Sequence, residues 1–315
     1  MMSKKYAIGV DLGGSNLRVA LVSEEGEIAR KVKKASSEEV LNSLFETIEE
    51  VLHGDIAGIG LGVAGLIDRE NGRVLSSPNY RAVEGLNIAA DIERKFNLPV
   101  YLENDANCAA LGERVRGAGK DFENFVLLTL GTGIGGSIIY KGELLDAAAE
   151  IGHMSINAEA EKCPCGNIGC LENYASARAM IAKAVVMLEK GTESMLKNCC
   201  NGSIYKITPD DIYKSALEGD TLSREILRDA GRALGVGLAN LINILSPEAI
   251  ILAGGLIGAW NIYVQEAIKE ASRRAFKDIF EAVKIIPSSL GDDAGVVGAA
   301  SLVFMKTAKN TTPRF

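Results

Sequence analysis

One histidine and three cysteines stand close together in this chain: His153, then Cys163, Cys165 and Cys170 in the run CPCGNIGC. An imidazole and three thiolates make a closed tetrahedral zinc set, and the Gly-Asn-Ile-Gly spacer lets the chain turn back so that the third cysteine faces the first two. Zinc held by four protein ligands has no position left for substrate or an activated water, so such a metal is structural. It fixes a loop and whatever that loop points. Glu150 and Glu172 bracket the set. The plainer readings are a metal-free cysteine turn or a disulfide. Against them, the chain has only two histidines, and one of them precedes CPC where a fourth ligand is needed. The other, His53, ends an amphipathic helix and needs no function.

Glycine-rich turns are the second chemical signal. Asp11, Gly13, Gly14, Ser15 and Asn16 lie where an apolar strand ends, and glycines there let backbone amides approach a phosphate without Cβ interference. Asp11 would sit beside that phosphate, placed to orient hydrated Mg²⁺. Gly131, Thr132 and Gly133 open GTGIGG, which invites a dinucleotide reading. That reading requires a helix straight after the glycines, whereas Ser137–Tyr140 continues as a strand. The turn therefore reads as a second phosphate clamp. Gly254 and Gly255 form a third glycine turn. Each of these turns has an ordinary hairpin as its bland alternative.

Stepping outward, YAIGVDLGGSNLRVALVSEEGEI reads as strand, glycine turn, strand, acidic tip and third strand, and FVLLTLGTGIGGSIIYKGELL repeats that pattern. Two such meanders, each opening a stretch of alternating strands and helices, indicate a duplicated α/β fold with two facing lobes. Ser36 with Glu39 predicts a capping box for a helix whose Val40, Leu44, Ile48 and Val51 share one face. Ala57–Val63 reads as a strand ending in Ala64-Gly65, a turn able to bring backbone close to a ligand. Ser77-Pro78-Asn79 is a loop with a polar residue fixed after proline. Val100–Leu102 is a strand running into Glu103-Asn104-Asp105, and a helix follows to Arg116. Polar residues at a strand's carboxyl end are where α/β sheets meet ligands, although an Asp in that position is also a routine N-cap. In the second half, 176–190 and 220–245 read as helices, 248–253 as a buried strand, and 293–305 as a small-residue helix followed by a frayed tail from Lys306.

The chain has 315 residues, 47% of them hydrophobic, and a net charge of −7. That length suits two domains. The expected division is 1–117 for the first lobe, completed by a C-terminal helix at about 293–315, and 118–292 for a second lobe carrying the cysteine loop. No basic tract suggests nucleic acid. No apolar stretch suggests a leader or a membrane span, and clustered free thiols suit a reducing compartment. Together these predict a cytoplasmic protein.

In this order, DLGGS, ENDANCAALGE, LGTGIGG, EIGH, CPCGNIGCLE and LAGG resemble the ROK family of sugar kinases and sugar-responsive repressors, nearest to its glucokinases. The resemblance implies an actin-like ATPase fold with two ribonuclease H-like lobes, a hexose in the interlobe cleft and Mg-ATP across it. Closure would exclude water, because hydrolysis competes with transfer. It further implies Asp105 as general base, and Gly65, Asn79, Asn104, Asp105, Glu150, His153 and Glu172 as sugar contacts. Asp11–Asn16 and Gly131–Gly133 would be the phosphate loops, Gly254 and Gly255 the adenosine contact. A structural Zn²⁺ on His153, Cys163, Cys165 and Cys170 would order the loop, and the assembly would be a homodimer or homotetramer. Kinases for N-acetylmannosamine, N-acetylglucosamine or fructose share these parts. ROK repressors add an N-terminal DNA-binding region, for which the five residues before the first strand leave no length; a non-catalytic sugar sensor remains the alternative of another class. Two positions depart from the family: Ser15 replaces the usual threonine, and the loop after Asn79 lacks a common tryptophan.

Overall fold

Large and small side chains alternate along the first strand, β1 (Tyr6–Leu12), and the alternation decides what packs on each face. Successive residues of a strand point to opposite sides. Ile8, Val10 and Leu12 enter one apolar cluster, while Ala7 joins another built on the last helix of the chain. The computed structural model describes residues 5–14, 16–77, 81–160 and 162–311. It divides into two compact units, Met1–Glu123 with Ile138–Leu145 and Ser288–Phe315, and Asn124–Ser137 with Asp146–Pro287.

In the first unit, β2 (Asn16–Ser23) and β3 (Ile28–Ala35) complete an antiparallel meander. Then come α1 (Val40–Val51), β4 (Ile56–Val63), the small hairpin β5 (Leu66–Asp68) and β6 (Arg73–Ser76), α2 (Ile88–Phe96), β7 (Val100–Asn104) and α3 (Asp105–Arg116). The sheet order is β3-β2-β1-β4-β7, with β4 parallel to β1 and β7 parallel to β4. Leu44, Ile48 and Val51 of α1 and Ile88 and Ile92 of α2 cover the face of large side chains.

The opposite face carries glycine. In β4 the sequence IAGIGLGV sets Ile59, Leu61 and Val63 on one side and Gly58, Gly60 and Gly62 on the other. Onto that glycine side lies the C-terminal helix (Ala294–Thr311). A Cβ at Gly60 would fall 1.7 Å from the Ala299 carbonyl oxygen, and one at Gly9 would fall 1.9 Å from that of Val296. The same helix meets α3 backbone to backbone: a Cβ at Gly298 would lie 1.6 Å from the Cys108 oxygen, and one at Gly112 would lie 2.2 Å from that of Ala294. Glycine inside a strand or helix costs conformational entropy, and a close backbone approach is what it permits. The helix also continues through Lys306 to Thr311, where a frayed tail was expected.

The second sheet contains β8 (Phe125–Leu130), β9 (Ile134–Tyr140), β10 (Glu143–Leu144), β11 (Ala249–Ala253) and β12 (Lys284–Pro287), in the order β10-β9-β8-β11-β12. This is the order of the first sheet over again, and β11 again runs parallel to β8. Helices α4 (Glu172–Ala175), α5 (Ala177–Glu189), α6 (Pro209–Leu217), α7 (Thr221–Leu245), α8 (Gln265–Arg274) and α9 (Lys277–Ala282) belong to the second unit, whereas β9 beyond Ser137 and β10 count with the first. Ser176, Thr208 and Asp220 cap α5, α6 and α7 with their side-chain oxygens, as short polar residues do at helix starts.

The unit boundaries have a visible cause at the end of α3. Arg114 donates to the Lys120 carbonyl at 2.7 Å and to Glu123 at 3.2 Å, which carries the first unit past residue 117 to Glu123. Buried Glu113 accepts from the Ser288 hydroxyl at 2.5 Å and the Leu290 amide at 3.0 Å, so the returning chain joins the unit at Ser288 rather than 293. Because the Gly298 contact leaves no room for a methyl group, Gly298→Ala should lower stability by about 3 kcal/mol or more. Urea denaturation of both proteins reads the difference.

Candidate active site

Parallel strands bring their carboxyl ends side by side, and three sequence-selected segments sit at those ends in the first unit. β1 ends at Asp11-Leu12, β4 at Val63, and β7 at Asn104, with Leu12 opposite Val63 and Val63 opposite Asn104. Asp11 faces Arg18 across the β1–β2 hairpin. The Arg18 Nη1 donates to the Asp11 carboxylate at 3.0 Å, and its Nη2 reaches Asp292 at 2.9 Å. Burial raises the Asp11 carboxyl above the usual range, and the Arg18 guanidinium opposes that shift. Gly295 makes room for the carboxylate, since a Cβ there would stand 2.9 Å from the Asp11 Cγ.

The turn after β1 is pinned from an unexpected side. Ser36 makes no capping box: α1 starts from Glu39 without a side-chain cap. The Ser36 hydroxyl instead donates to the Gly13 carbonyl at 2.6 Å, while the Gly13 amide donates to the Asn16 carbonyl at 3.0 Å. Ser15, between Gly14 and Asn16, lies outside the described residues, as do Pro78 and Asn79.

Asn104, not Asp105, caps α3. Its side-chain oxygen accepts from the Ala106 amide at 2.9 Å and the Asn107 amide at 3.2 Å, and its side-chain nitrogen donates to the Gly65 carbonyl at 3.0 Å. Gly65 has φ +130°, and a Cβ there would fall 2.1 Å from the Ser76 oxygen. Asp105 thereby becomes the first residue of the helix, its carboxylate accepting from the Ala106 amide at 2.9 Å. The helix dipole favours a negative charge at that end. Beneath it, buried Glu103 accepts from Arg69 Nε, from the Asn104 amide at 2.8 Å and from Asn107 Nδ2 at 2.9 Å. The two neighbours are placed differently: Glu103 is buried and holds three donors, and Asp105 stands at the strand-to-helix turn.

In the second unit backbone closes on both flanks of the Gly131–Gly133 turn. A Cβ at Gly254, whose φ is +92°, would meet the Leu130 oxygen at 2.4 Å, and one at Gly152 would meet the Ile134 oxygen at 2.1 Å. Gly254-Gly255 follows β11, the neighbour of β8, so these two predicted nucleotide turns lie together. Gly131, Thr132, Ala177, Tyr213, Gly255 and Leu256 line part of one pocket of about 210 Å³, whose wall also includes Pro209 and Asp210 at the start of α6. Apolar walls beside a glycine turn suit a flat heterocycle joined to an anion.

Gly152 belongs to a single 3-10 turn, Ile151–His153, that rests on β9 and carries Glu150 before it. Ala149 takes a left-handed φ of +46° to start that turn. Glu150 is exposed, and His153 points into the cysteine loop. The loop folds on itself: the Cys163 amide donates to the Asn167 carbonyl at 2.7 Å, and Asn167 Nδ2 donates to the His153 carbonyl at 2.9 Å. The His153 Nδ1 lies 3.9 Å from the Cys163 sulfur, and the Cys165 and Cys170 sulfurs are 3.7 Å apart. One ligand atom from each of the four residues falls within 4.8 Å of all the others. A tetrahedron with Zn–S bonds of roughly 2.3 Å has edges of about 3.8 Å, so the donor set fits zinc. Burial, followed by the neighbouring thiols, pushes the Cys170 thiol up to about 12; a cation among these sulfurs would reverse that, because coordinated thiols are deprotonated.

Glu172, just beyond Cys170, accepts from the Ile134 amide at 2.8 Å and from Arg178 at 2.5 Å. Neither Arg178 nor Arg18 stood out in the sequence, and Ser36 stood out only as a helix cap. Only Arg18 had a signal, since counting the hairpin outward from its glycine turn pairs it with Asp11.

The ROK family model matches residues 7–306. The chain belongs to the ROK family. Among its ROK relatives, a glucokinase of Thermotoga maritima is 37% identical over 96% of this chain and 98% of its own length. A xylose repressor of Caldicellulosiruptor bescii is 34% identical over 94% of this chain and 77% of its own length. The crystal structure of a ROK family glucokinase from Streptomyces griseus, in complex with glucose and AMPPNP, superposes with a TM-score of 0.83 at 32% identity, covering 95% of this chain and 99% of that one. The fold is accordingly the actin-like ATPase fold of its ROK neighbours. Among the described residues no helix is long and apolar enough to cross a membrane. For this ROK chain, Glu103→Ala would remove the buried acceptor shared by Arg69, the Asn104 amide and Asn107 and loosen the start of α3. It should cost about 3 kcal/mol, measured as a fall in urea midpoint at unchanged slope.

Proposed function

We propose that the protein is an ATP-dependent hexose kinase that phosphorylates the C6 hydroxyl of glucose, with Asp105 as general base. The observation that carries this reading is the carboxylate of Asp105 at the first position of α3, held there by an Asn104 cap whose other end is tied to Gly65. A carboxylate within reach of a sugar hydroxyl accepts its proton as the oxygen attacks the γ-phosphorus. Resemblance to a glucokinase along the full length of both chains supports glucose as the acceptor.

The donor is ATP in this reading. The pocket at Gly131, Thr132 and Gly255 would take the nucleoside, and the amides of the Gly13–Asn16 and Gly131–Gly133 turns would take phosphate oxygens. Mg²⁺ bound with ATP supplies charge neutralisation at the transferred group. Asp11, held in place by Arg18, would orient the hydrated ion. Glu150, His153 and Glu172 would hold the sugar hydroxyls, with Asn79 and Asn104 as further contacts. Zinc, when bound to His153, Cys163, Cys165 and Cys170, supplies only order to the loop. With Nδ1 turned toward Cys163, His153 keeps Nε2 to donate to a hydroxyl.

The xylose repressors among the relatives favour a second reading, a sugar sensor without turnover. Initial rates with Mg-ATP across glucose, mannose, fructose, N-acetylglucosamine, N-acetylmannosamine and xylose separate the two. Preferred turnover of glucose supports the kinase, turnover of another sugar moves the acceptor, and sugar binding without turnover establishes the sensor. Asp105→Asn should lower kcat by about 10²–10⁴ with a modest change in sugar affinity; full activity in that variant removes Asp105 from the role. Cys165→Ser should lose the metal and weaken sugar binding, read by metal analysis and by calorimetric titration with glucose.

A further inference from the structure

Glu172 is tied to two elements at once. Its side chain is only 12% exposed, and its two oxygens are engaged separately, Oε2 by the Ile134 amide and Oε1 by Arg178. The carboxylate fills the space that a Cβ on Gly133 would need, 2.4 Å away. Next to Arg178, the Ala177 amide donates to the Gly131 carbonyl at 2.9 Å. The segment 172–178 therefore grips the glycine turn at both ends, Gly131 and Ile134, and Ala177 lines the pocket beside that turn.

We propose that Arg178 is a positioning residue that, through Glu172, sets the geometry of the Gly131–Ile134 turn and so couples sugar recognition to donor affinity. The coupling half rests on the kinase reading given above. A carboxylate offers about four acceptor sites. Two are used among the described residues, which leaves capacity for a sugar hydroxyl on the same group. A hydroxyl donating to Glu172 shares the charge that orients the Ile134 amide, so its arrival alters the turn, and a nucleotide ordering the turn must alter sugar affinity by the same factor. Arg178 makes this transmission stiff. Its own end is 54% exposed, and an exposed ion pair contributes little stability. Its effect lies in orientation: without the guanidinium, Glu172 keeps one tether and can swing out, giving the turn beside Gly133 room to open.

The test uses the whole protein. Affinity for AMPPNP is measured by calorimetry with and without glucose, steady-state KM and kcat are measured for ATP, and amide exchange is followed over residues 131–134, in wild type, Arg178→Met and Arg178→Lys. Arg178→Met is expected to bind AMPPNP about tenfold more weakly, as for loss of one charge-assisted hydrogen bond. KM for ATP should rise with kcat little changed, and the effect of glucose on AMPPNP affinity should shrink. Exchange at the turn should accelerate, and Arg178→Lys should recover most of each change. Unchanged AMPPNP affinity and unchanged exchange in Arg178→Met would overturn the proposal. If the wild type turns over no sugar, the kinase reading fails by itself, and the exchange rate at Ile134 still decides whether Arg178 holds the turn.

Discussion

Backbone against backbone is the contact on which the first unit depends. Gly9 and Gly60 leave the sheet bare where the C-terminal helix comes down, and Gly112 and Gly298 let that helix touch α3 without side chains between them. The catalytic geometry proposed here is downstream of that packing. Asp11 lies over Gly295 of the helix, and Asp292 just before it shares Arg18 with Asp11. Asp105 begins α3, whose middle is fixed by the same helix. Interiors pack at crystal-like density, and here the usual tolerance of flexible side chains is missing on both surfaces. A shift of the helix must therefore be carried directly to the strand ends and to α3.

The second unit uses the same economy around a single turn. Gly152, Gly254 and the Glu172 carboxylate all approach the backbone between Leu130 and Ile134 within distances that a methyl group would not allow. Three chemically different neighbours converge there: the segment bearing Glu150 and His153, the turn after β11, and the helix that follows the cysteine loop. The helix that follows the cysteine loop thus carries the carboxylate that holds the turn.

Much of this was legible in the sequence, for a physical reason. The strands, the glycine turns and the cysteine cluster are local patterns, and periodicity or ligand spacing reports them directly. The meander of the first half and its repeat in the second became two sheets of the same strand order. What escaped depends on partners distant in sequence. Ser36 and Glu39 satisfy the capping-box pattern, yet the Ser36 hydroxyl finds the Gly13 carbonyl first. Asp105, placed just before a helix, had the N-cap as its plain reading, but Asn104 can cap and also reach Gly65. Residues 118–123 and 288–292 were expected in the second lobe, whereas Arg114 meets Lys120 and Glu123, and Glu113 meets Ser288 and Leu290, within the first unit. Gly60 was readable as a strand residue; that a helix from the other end of the chain would lie upon it was not.

The discontinuity of the first unit has a consequence for how the chain is made. Nearly all of the second unit is one stretch, 124–287 apart from a hairpin tip, whereas the first needs Ser288–Thr311 to cover the glycine face of its sheet. During synthesis that face emerges early and waits, uncovered, while the whole second unit leaves the ribosome. Domains fold as units as they appear, and unpaired apolar surface in the interval invites association. The order of completion is thus the reverse of the order of synthesis: the half made first is the half finished last.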